Sequence, residues 1–270
     1  MTVAETQTFP SLCRQWRRFR KLSQLDLALE ADVSQRHVSW LETGRSRPSR
    51  EMVERLSEAM DVPLRERNLL LTAAGFSPRY AERSLDEPTM AAVLDAIDRI
   101  LGNHEPLPAV VVDRFWNVKR RNRAAERMFS LVGDLDQMSA ELSPGSTEPN
   151  LALLSLHPQG LRPFISNWDE VAPPFVRRLR SEAALSGDRE VQAHFELMFE
   201  LIGPIDDRPA LGDPLLPVLP LELALGDLQL SLFTVISTIG TPTDVTADEL
   251  RIEAFYPTNE ETEAFFQAAG

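Results

Sequence analysis

The stretch VSQRHVSWLETGRSRPS, residues 33–49, decides how the first third of this chain folds. Ser34 stands where a helix N-cap is needed, because its hydroxyl can accept from the free N–H groups of the first turn. Gly44 stands where a helix stops, since glycine tolerates the left-handed backbone that closes the last turn. Between them the sequence predicts a short helix from Gln35 to about Thr43. Val38 and Leu41 sit three apart and face inward with Val33, leaving Gln35, Arg36 and Ser39 outward and His37 near the edge. Arg45, Arg47 and Arg50 follow at the exit. Such a helix is dressed to touch an anion, yet the chain carries a formal net charge of −13.

The charge is unevenly distributed. Residues 1–80 hold 13 Lys/Arg against 10 Asp/Glu, a net of +3, and the remainder holds 15 against 31, a net of −16. The asymmetry confines any nucleic-acid contact to the first 80 residues. At 270 residues, 43% hydrophobic and 26% charged, the chain is long enough for two domains with separate cores. No apolar run approaches the roughly 18 residues of a membrane span. The start, MTVAETQTFPS, lacks the basic and apolar regions of a signal peptide. Cys13 is the one cysteine, which excludes an internal disulfide and an all-cysteine metal site. A cytoplasmic location is expected, with no membrane contact and Cys13 as a small buried hydrophobe.

Outward from residues 33–49, helical signals repeat. Leu12, Trp16 and Phe19 share one face; Ser23 caps a helix with Asp26 as the capping-box acid. Pro48-Ser49 begin a fourth helix with Met52, Val53, Leu56 and Met60 buried, and residues 64–71 form a fifth, stopped by Gly75. The order of a helix, a tight turn at Asp32-Val33-Ser34 and a second helix is that of a helix-turn-helix, whose second helix presents its first side chains to the major groove. Gln35, Arg36, His37 and Ser39 are the candidate base contacts: Gln pairs with adenine, Arg with guanine, Ser with either. Ser23, Gln24, Arg45, Arg47 and Arg50 lie at loops and helix ends, where phosphate contact is sequence-blind.

Residues 77–88 are polar and bracketed by prolines, a linker. Residues 90–101 form an amphipathic helix, and PAVVVDRFWNVKRRN alternates as a hairpin. Residues 136–150 predict a loop and 151–202 helices. Strands return in VLPLELAL, a Gly226-Asp227 turn, LQLSLFTVISTI and LRIEAFYP. With few helices between the last strands the pairing is antiparallel, and the second domain is α+β. The sequence thus predicts a multidomain chain: an all-α bundle over 1–76, a linker over 77–88 and an α+β domain over 89–270.

Residues 22–62, LSQLDLALEADVSQRHVSWLETGRSRPSREMVERLSEAMDV, resemble the Xre/Cro-type helix-turn-helix family in Ser23-Gln24, Ala28, Val33-Ser34, Glu42-x-Gly44 and Pro48-Ser49. That family often has glycine where this chain has Asp32, a residue that tolerates the left-handed backbone better than most. VVVDRFWNVKRRNRAAER resembles the opening of PAS-type domains. Combined with PLRERNLLLTAAGFSPRY, HEPLPAVVVDRFWNVKRRNRAA, LHPQGLRPFISNW and STIGTPTDVTADELRIEAFYP, the whole chain resembles the MmyB-like transcription regulators. The resemblance implies a bacterial regulator, often tied to secondary metabolism. It also implies a small-molecule pocket between a five-stranded antiparallel sheet and flanking helices of a PAS-like domain.

Phe195, Met198, Phe199, Leu230 and Leu232 are the candidate walls of such a pocket, and Arg162, Asn167 and Trp168 the candidate anchors for a carboxylate or carbonyl end. Apolar walls favour a fatty acid or similar acyl compound. The alternative for each of these apolar residues, and the one favoured by its chemistry alone, is closed core; the alternative for Asn167 is the cap of a helix starting near Asp169. No phosphate loop, zinc helix, nucleophile elbow or Cys-His pair appears, so no enzyme is expected. No cofactor is expected; a haem ligand among His104, His157 and His194 is the alternative left open, whereas a flavin–cysteine adduct is excluded by the place of Cys13. The leading reading is a homodimeric, ligand-responsive regulator on a double-stranded DNA operator. The alternative is a DNA-binding regulator whose second domain serves only dimerisation or protein interaction.

Overall fold

The computed structural model describes residues 8–143, 145–207 and 218–268; the outermost ends of both expected domains lie outside that set. The chain divides into two compact units, Met1–Arg83 with Thr241–Asp248, and Ser84–Gly240 with Glu249–Gly270.

The first unit is built on five helices: α1 (Phe9–Phe19), α2 (Gln24–Glu30), α3 (Gln35–Glu42), α4 (Arg50–Ala59) and α5 (Leu64–Ala73). Ser23, Ser34 and Ser49 cap α2, α3 and α4 through their side chains. Asp32 adopts φ +50°, the left-handed turn that the sequence requires there. The core joins Leu12, Cys13 and Trp16 of α1 to Leu27, Val38, Leu41, Val53, Leu56 and Leu71. Burial pushes the Cys13 thiol up to about 12, as a buried small hydrophobe requires.

Two features of this unit are long-range. Residues 77–83, read as part of a linker, are tied down: Asn68 accepts from Arg79 N and Tyr80 N and donates to Tyr80 O. Thr241–Asp248, from far along the chain, joins them. Val245 N donates to Ala81 O at 2.8 Å, Asp244 pairs with Arg83 at 2.8 Å, and Asp248 accepts from Leu64 N at 2.9 Å, capping α5 where Pro63 offers no side-chain acceptor.

The second unit begins with α6 (Ala91–His104), then β1 (Ala109–Val112) and β2 (Val118–Arg121). Five α-helices separate β2 from the next strand among the described residues: α7 (Arg123–Ser130), α8 (Leu135–Leu142), α9 (Leu151–Leu156), α10 (Trp168–Leu185) and α11 (Arg189–Ile202). Then come β3 (Leu221–Leu225), β4 (Leu228–Thr238), β5 (Arg251–Pro257) and α13 (Glu260–Ala268); α12 (Val245–Glu249), between β4 and β5 in the chain, belongs to the first unit in all but its last residue. Helix α8 falls where the sequence predicted a loop; Asp134 caps it, and Leu135, Ser139 and Leu142 are buried. The five strands form one antiparallel sheet in the order β2-β1-β5-β4-β3. Gly226, at φ +66°, makes the two-residue turn from β3 to β4. One sheet face packs on the helices through Val110, Leu230, Leu232 and Phe255; the other is covered at Val111 and Ile252 by Ile97 and Leu101 of α6.

Candidate functional site

In the first unit the second helix of the helix-turn-helix is anchored from behind and open in front. Val38 and Leu41 are fully buried. Glu42, its last residue, accepts from Arg17 of α1 and Gln24 of α2. Gln35 and Arg36 are exposed, and His37 and Ser39 half-buried. The Arg36 guanidinium lies 4.4 Å over the Trp40 ring one turn on, in cation–π contact. Trp40 was not among the expected contacts, although its exposure on a polar helix marks it.

The expected phosphate contacts divide. Arg45 and Arg47 are exposed on the exit loop and make no ion pair among the described residues. Arg50 donates to Ser77 O at 2.9 Å and lies over Phe76. Gln24 donates one amide hydrogen to Glu42 at 2.8 Å. Ser23 is exposed, with its hydroxyl accepting from Asp26 N. The long-range bonds to Ser77 and Glu42 are what local sequence reading could not supply.

The second unit contains a partly open cavity of about 330 Å³, at the low end of the range for small-molecule sites. Its walls are Leu221, Leu223, Leu225, Leu232 and Phe255 from the sheet, with Trp168, Ala172 and Phe175 of α10, Met128 and Phe129 of α7 and Leu156 of α9 among those opposite. The register explains the sheet wall: Leu232 stands opposite Leu221, and Thr234 opposite Phe255, so these side chains share a face. Trp116 closes part of the wall from the β1–β2 turn. Asp113 accepts there from Phe115 N and Asn117 N, and Trp116 is held at φ +68°. A bulky residue in that backbone region is strained, a feature concentrated at binding sites.

Four polar side chains reach the cavity: Ser155, Arg178, Thr234 and Glu253. Arg178 donates to Glu182 at 2.9 Å and its guanidinium lies 5.1 Å over the Trp116 ring. Glu182 also accepts from Trp116 Nε1 at 3.0 Å and from Arg251 at 2.6 Å. Burial alone would raise the Glu182 pKa, but the Arg251 charge and the Trp116 hydrogen bond outweigh it and hold the carboxyl below its ordinary value. Glu253 is different. Burial pushes it up to about 7, against a smaller pull from Arg178 and the Thr234 hydroxyl.

Of the expected ligand contacts, Trp168 and Leu232 lie on the cavity wall. Phe195, Met198 and Leu230 are closed core at 1%, 3% and 1% exposure, because the apolar stripe of α11 is filled by its neighbours. Phe199 stacks on Phe195 beneath Arg180. Arg162 lies 4.5 Å over the Trp168 ring. Asn167 precedes α10 without a side-chain cap bond; it donates to Pro220 O at 2.8 Å and accepts from Glu222 N at 3.0 Å, a corner that fixes β3. Arg178 and Glu253 were missed, since each sits in a stretch that reads as ordinary surface charge.

His104 meets Phe255 O, His157 accepts from Gln159 N, and His194 lies between Phe115 O and Asn150. Among the described residues no group of His, Cys, Asp and Glu could hold a metal ion, and no helix is long and apolar enough to cross a membrane.

Residues 14–67 match the family model described as helix-turn-helix, and residues 93–269 match that described as MmyB-like transcription regulator ligand binding domain. No curated protein matches the chain. A solved structure described as that of an RNA-binding Light-Oxygen-Voltage receptor is similar at 11% identity and a TM-score of 0.24, covering 98% of this chain. The chain spans 64% of that structure's own length. A helix-turn-helix unit joined to a ligand-binding sheet domain defines the class: a transcription regulator with a ligand-binding domain. Within that class, the chain belongs to the MmyB-like transcription regulators.

Proposed function

We propose that the protein binds a pseudo-palindromic DNA operator as a cytoplasmic homodimer, and that an apolar small molecule in the second unit sets its affinity. Gln35, Arg36, His37 and Ser39 read bases, with Trp40 bracing Arg36; Ser23, Gln24, Arg45, Arg47 and Arg50 hold phosphates. The ligand is a fatty acid or similar acyl compound. The observation that carries this reading is the cavity of about 330 Å³, walled by leucine and aromatic side chains with few polar groups. A closed core would leave no such space, because protein interiors pack without voids of this size.

Native mass spectrometry of the purified protein tests the ligand. A co-purifying apolar molecule, lost on denaturation, is the expected result. Its repeated absence, with no thermal shift on adding dodecanoate, would sink the reading. Selection from random duplexes tests the DNA half: two inverted half-sites should be enriched, and enrichment of a single unpaired site argues against the dimer.

A further inference from the structure

Glu253 is the anomaly of the cavity wall. On β5, the middle strand, its cross-strand neighbours are Val110 and Ile236. A carboxyl therefore stands on the sheet face that otherwise carries Leu232, Phe255 and Val110 into the core. Structure alone does not ask for it, since an apolar residue would fill that place at lower cost.

The positive charge around it is shared with a second carboxyl. The two cations whose charge reaches it, Arg178 and Arg251, are both bound to Glu182, at 2.9 and 2.6 Å. Thr234 supplies a hydroxyl from β4. Val110 of β1 and Ile236 of β4 bring no charge. With Glu253 ionised, the group Arg178, Arg251, Glu182 and Glu253 is already balanced. A ligand carboxylate placed here would add an uncompensated negative charge beside Glu253, and two carboxylates that close share a proton. A hydroxyl or amide instead donates to Glu253 and accepts from a guanidinium N–H, with no change in charge.

Resting on the reading of an apolar ligand in this cavity, we infer that the ligand's polar end lies against Glu253 without net charge. It is a hydroxyl, an amide, or a carboxyl whose entry brings one proton to the Glu253 site. Glu253 is then the residue that fixes the head group, and the leucine and aromatic walls take the chain. Glu253 gains that proton readily near neutrality, because burial has already raised its pKa to about 7.

The test uses the full chain and three probes with one tail: dodecanol, dodecanamide and dodecanoate, titrated by calorimetry from about pH 6 to about pH 9. The alcohol and amide should bind with nearly constant affinity. Dodecanoate affinity should fall about tenfold per pH unit above pH 7, the signature of one proton taken up on binding. In Glu253→Gln the dodecanoate slope should vanish, and an unchanged far-ultraviolet circular dichroism spectrum shows that the variant is folded. A flat dodecanoate profile in the unaltered protein, or an unchanged slope in Glu253→Gln, overturns the inference. Binding of dodecanoate alone overturns it equally. If none of the probes binds, the cavity reading itself falls and takes this one with it.

Discussion

Arg17 and Glu42 meet in a two-pronged ion pair, Arg17 Nε 2.6 Å from one carboxylate oxygen and Nη2 3.0 Å from the other. The Glu42 side chain is 1% exposed. The pair ties α1 to the last residue of α3, the second helix of the helix-turn-helix, and Gln24 brings α2 to the same carboxylate. Burial alone would raise the Glu42 pKa; the Arg17 and Gln24 hydrogen bonds and the guanidinium charges of Arg17 and Arg14 outweigh it, so it lies below 4.5.

Removing Arg17 leaves Glu42 with only part of its partners. Arg17→Ala should destabilise the first unit by about 1–3 kcal/mol, because the buried carboxylate keeps the Gln24 amide and the Arg14 guanidinium at 4.0 Å but loses its two-pronged partner. Urea unfolding followed by circular dichroism reads this. The sign of the pH dependence follows from the lowered pKa. Stability from Glu42 is present above its unfolded value of 4.5 and is lost as pH falls through the lower folded value. The unaltered protein should therefore lose stability in that acid limb, and Arg17→Ala should lose less there. Equal acid sensitivity of the two would mean that the pair does not govern it.

On DNA, Arg36→Ala should cost about 1–3 kcal/mol of specific affinity and relax preference at one base pair. Trp40→Ala should act in the same direction more weakly, since it removes the ring 4.4 Å beneath the Arg36 guanidinium but not the guanidinium itself. Arg47→Ala should weaken specific and random duplexes alike and lower the salt slope by about 1. Fluorescence anisotropy on both duplexes separates these outcomes. If Arg36→Ala and Arg47→Ala prove indistinguishable, the base-reading face is misassigned.

Much of the first unit was legible because its signals are local. Ser23, Ser34 and Ser49 cap within three residues of themselves, and Val38 and Leu41 declare their face by spacing alone. The bonds that join Glu42 to Arg17, or Asp248 to Leu64, cross long stretches of chain and leave no periodic trace. Helix α8 was hidden because the Ser, Pro and Gly that follow it colour the whole stretch as loop. The cavity was hardest to read. A wall differs from core only in what fails to fill the space opposite, so the stripe of Phe195 and Met198 looked like a wall and is core. Glu253 was concealed by a sheet buried on both faces: in RIEAFY the apolar Ile252, Ala254 and Tyr256 suggest the core side, while α6 covers that face and Glu253 points at the cavity.

Shape around the cavity gives the next expectation. Ala172 is 2% exposed and lies on the wall formed by α10. Ala172→Phe should fill part of the space and abolish uptake of a dodecyl probe while leaving the far-ultraviolet circular dichroism unchanged. Gly160 is a contrasting control. A Cβ there would collide with the Leu154 carbonyl oxygen of α9, which is backbone and cannot turn aside. Gly160→Ala should therefore destabilise the second unit by about 1–3 kcal/mol whether or not ligand is present. Unimpaired uptake by Ala172→Phe would show that the ligand does not use this wall.

Glu253 also predicts a stability profile that needs no ligand. Its folded pKa is raised from 4.5 to about 7, so the folded state disfavours the ionised carboxyl. Below about pH 4.5 the side chain is neutral in both folded and unfolded chains, and it imposes no charge penalty. Between those values the unfolded chain ionises first and stability falls; above about 7 both are ionised and the loss is complete. Glu253→Gln should thus gain on the order of 2 kcal/mol over the unaltered protein near pH 8 and little near pH 5, at roughly 1.4 kcal/mol per pKa unit reduced for water that reaches the cavity. The denaturant midpoint should move while the slope stays constant. A gain that is equal at both pH values would point to packing, not charge, as its origin.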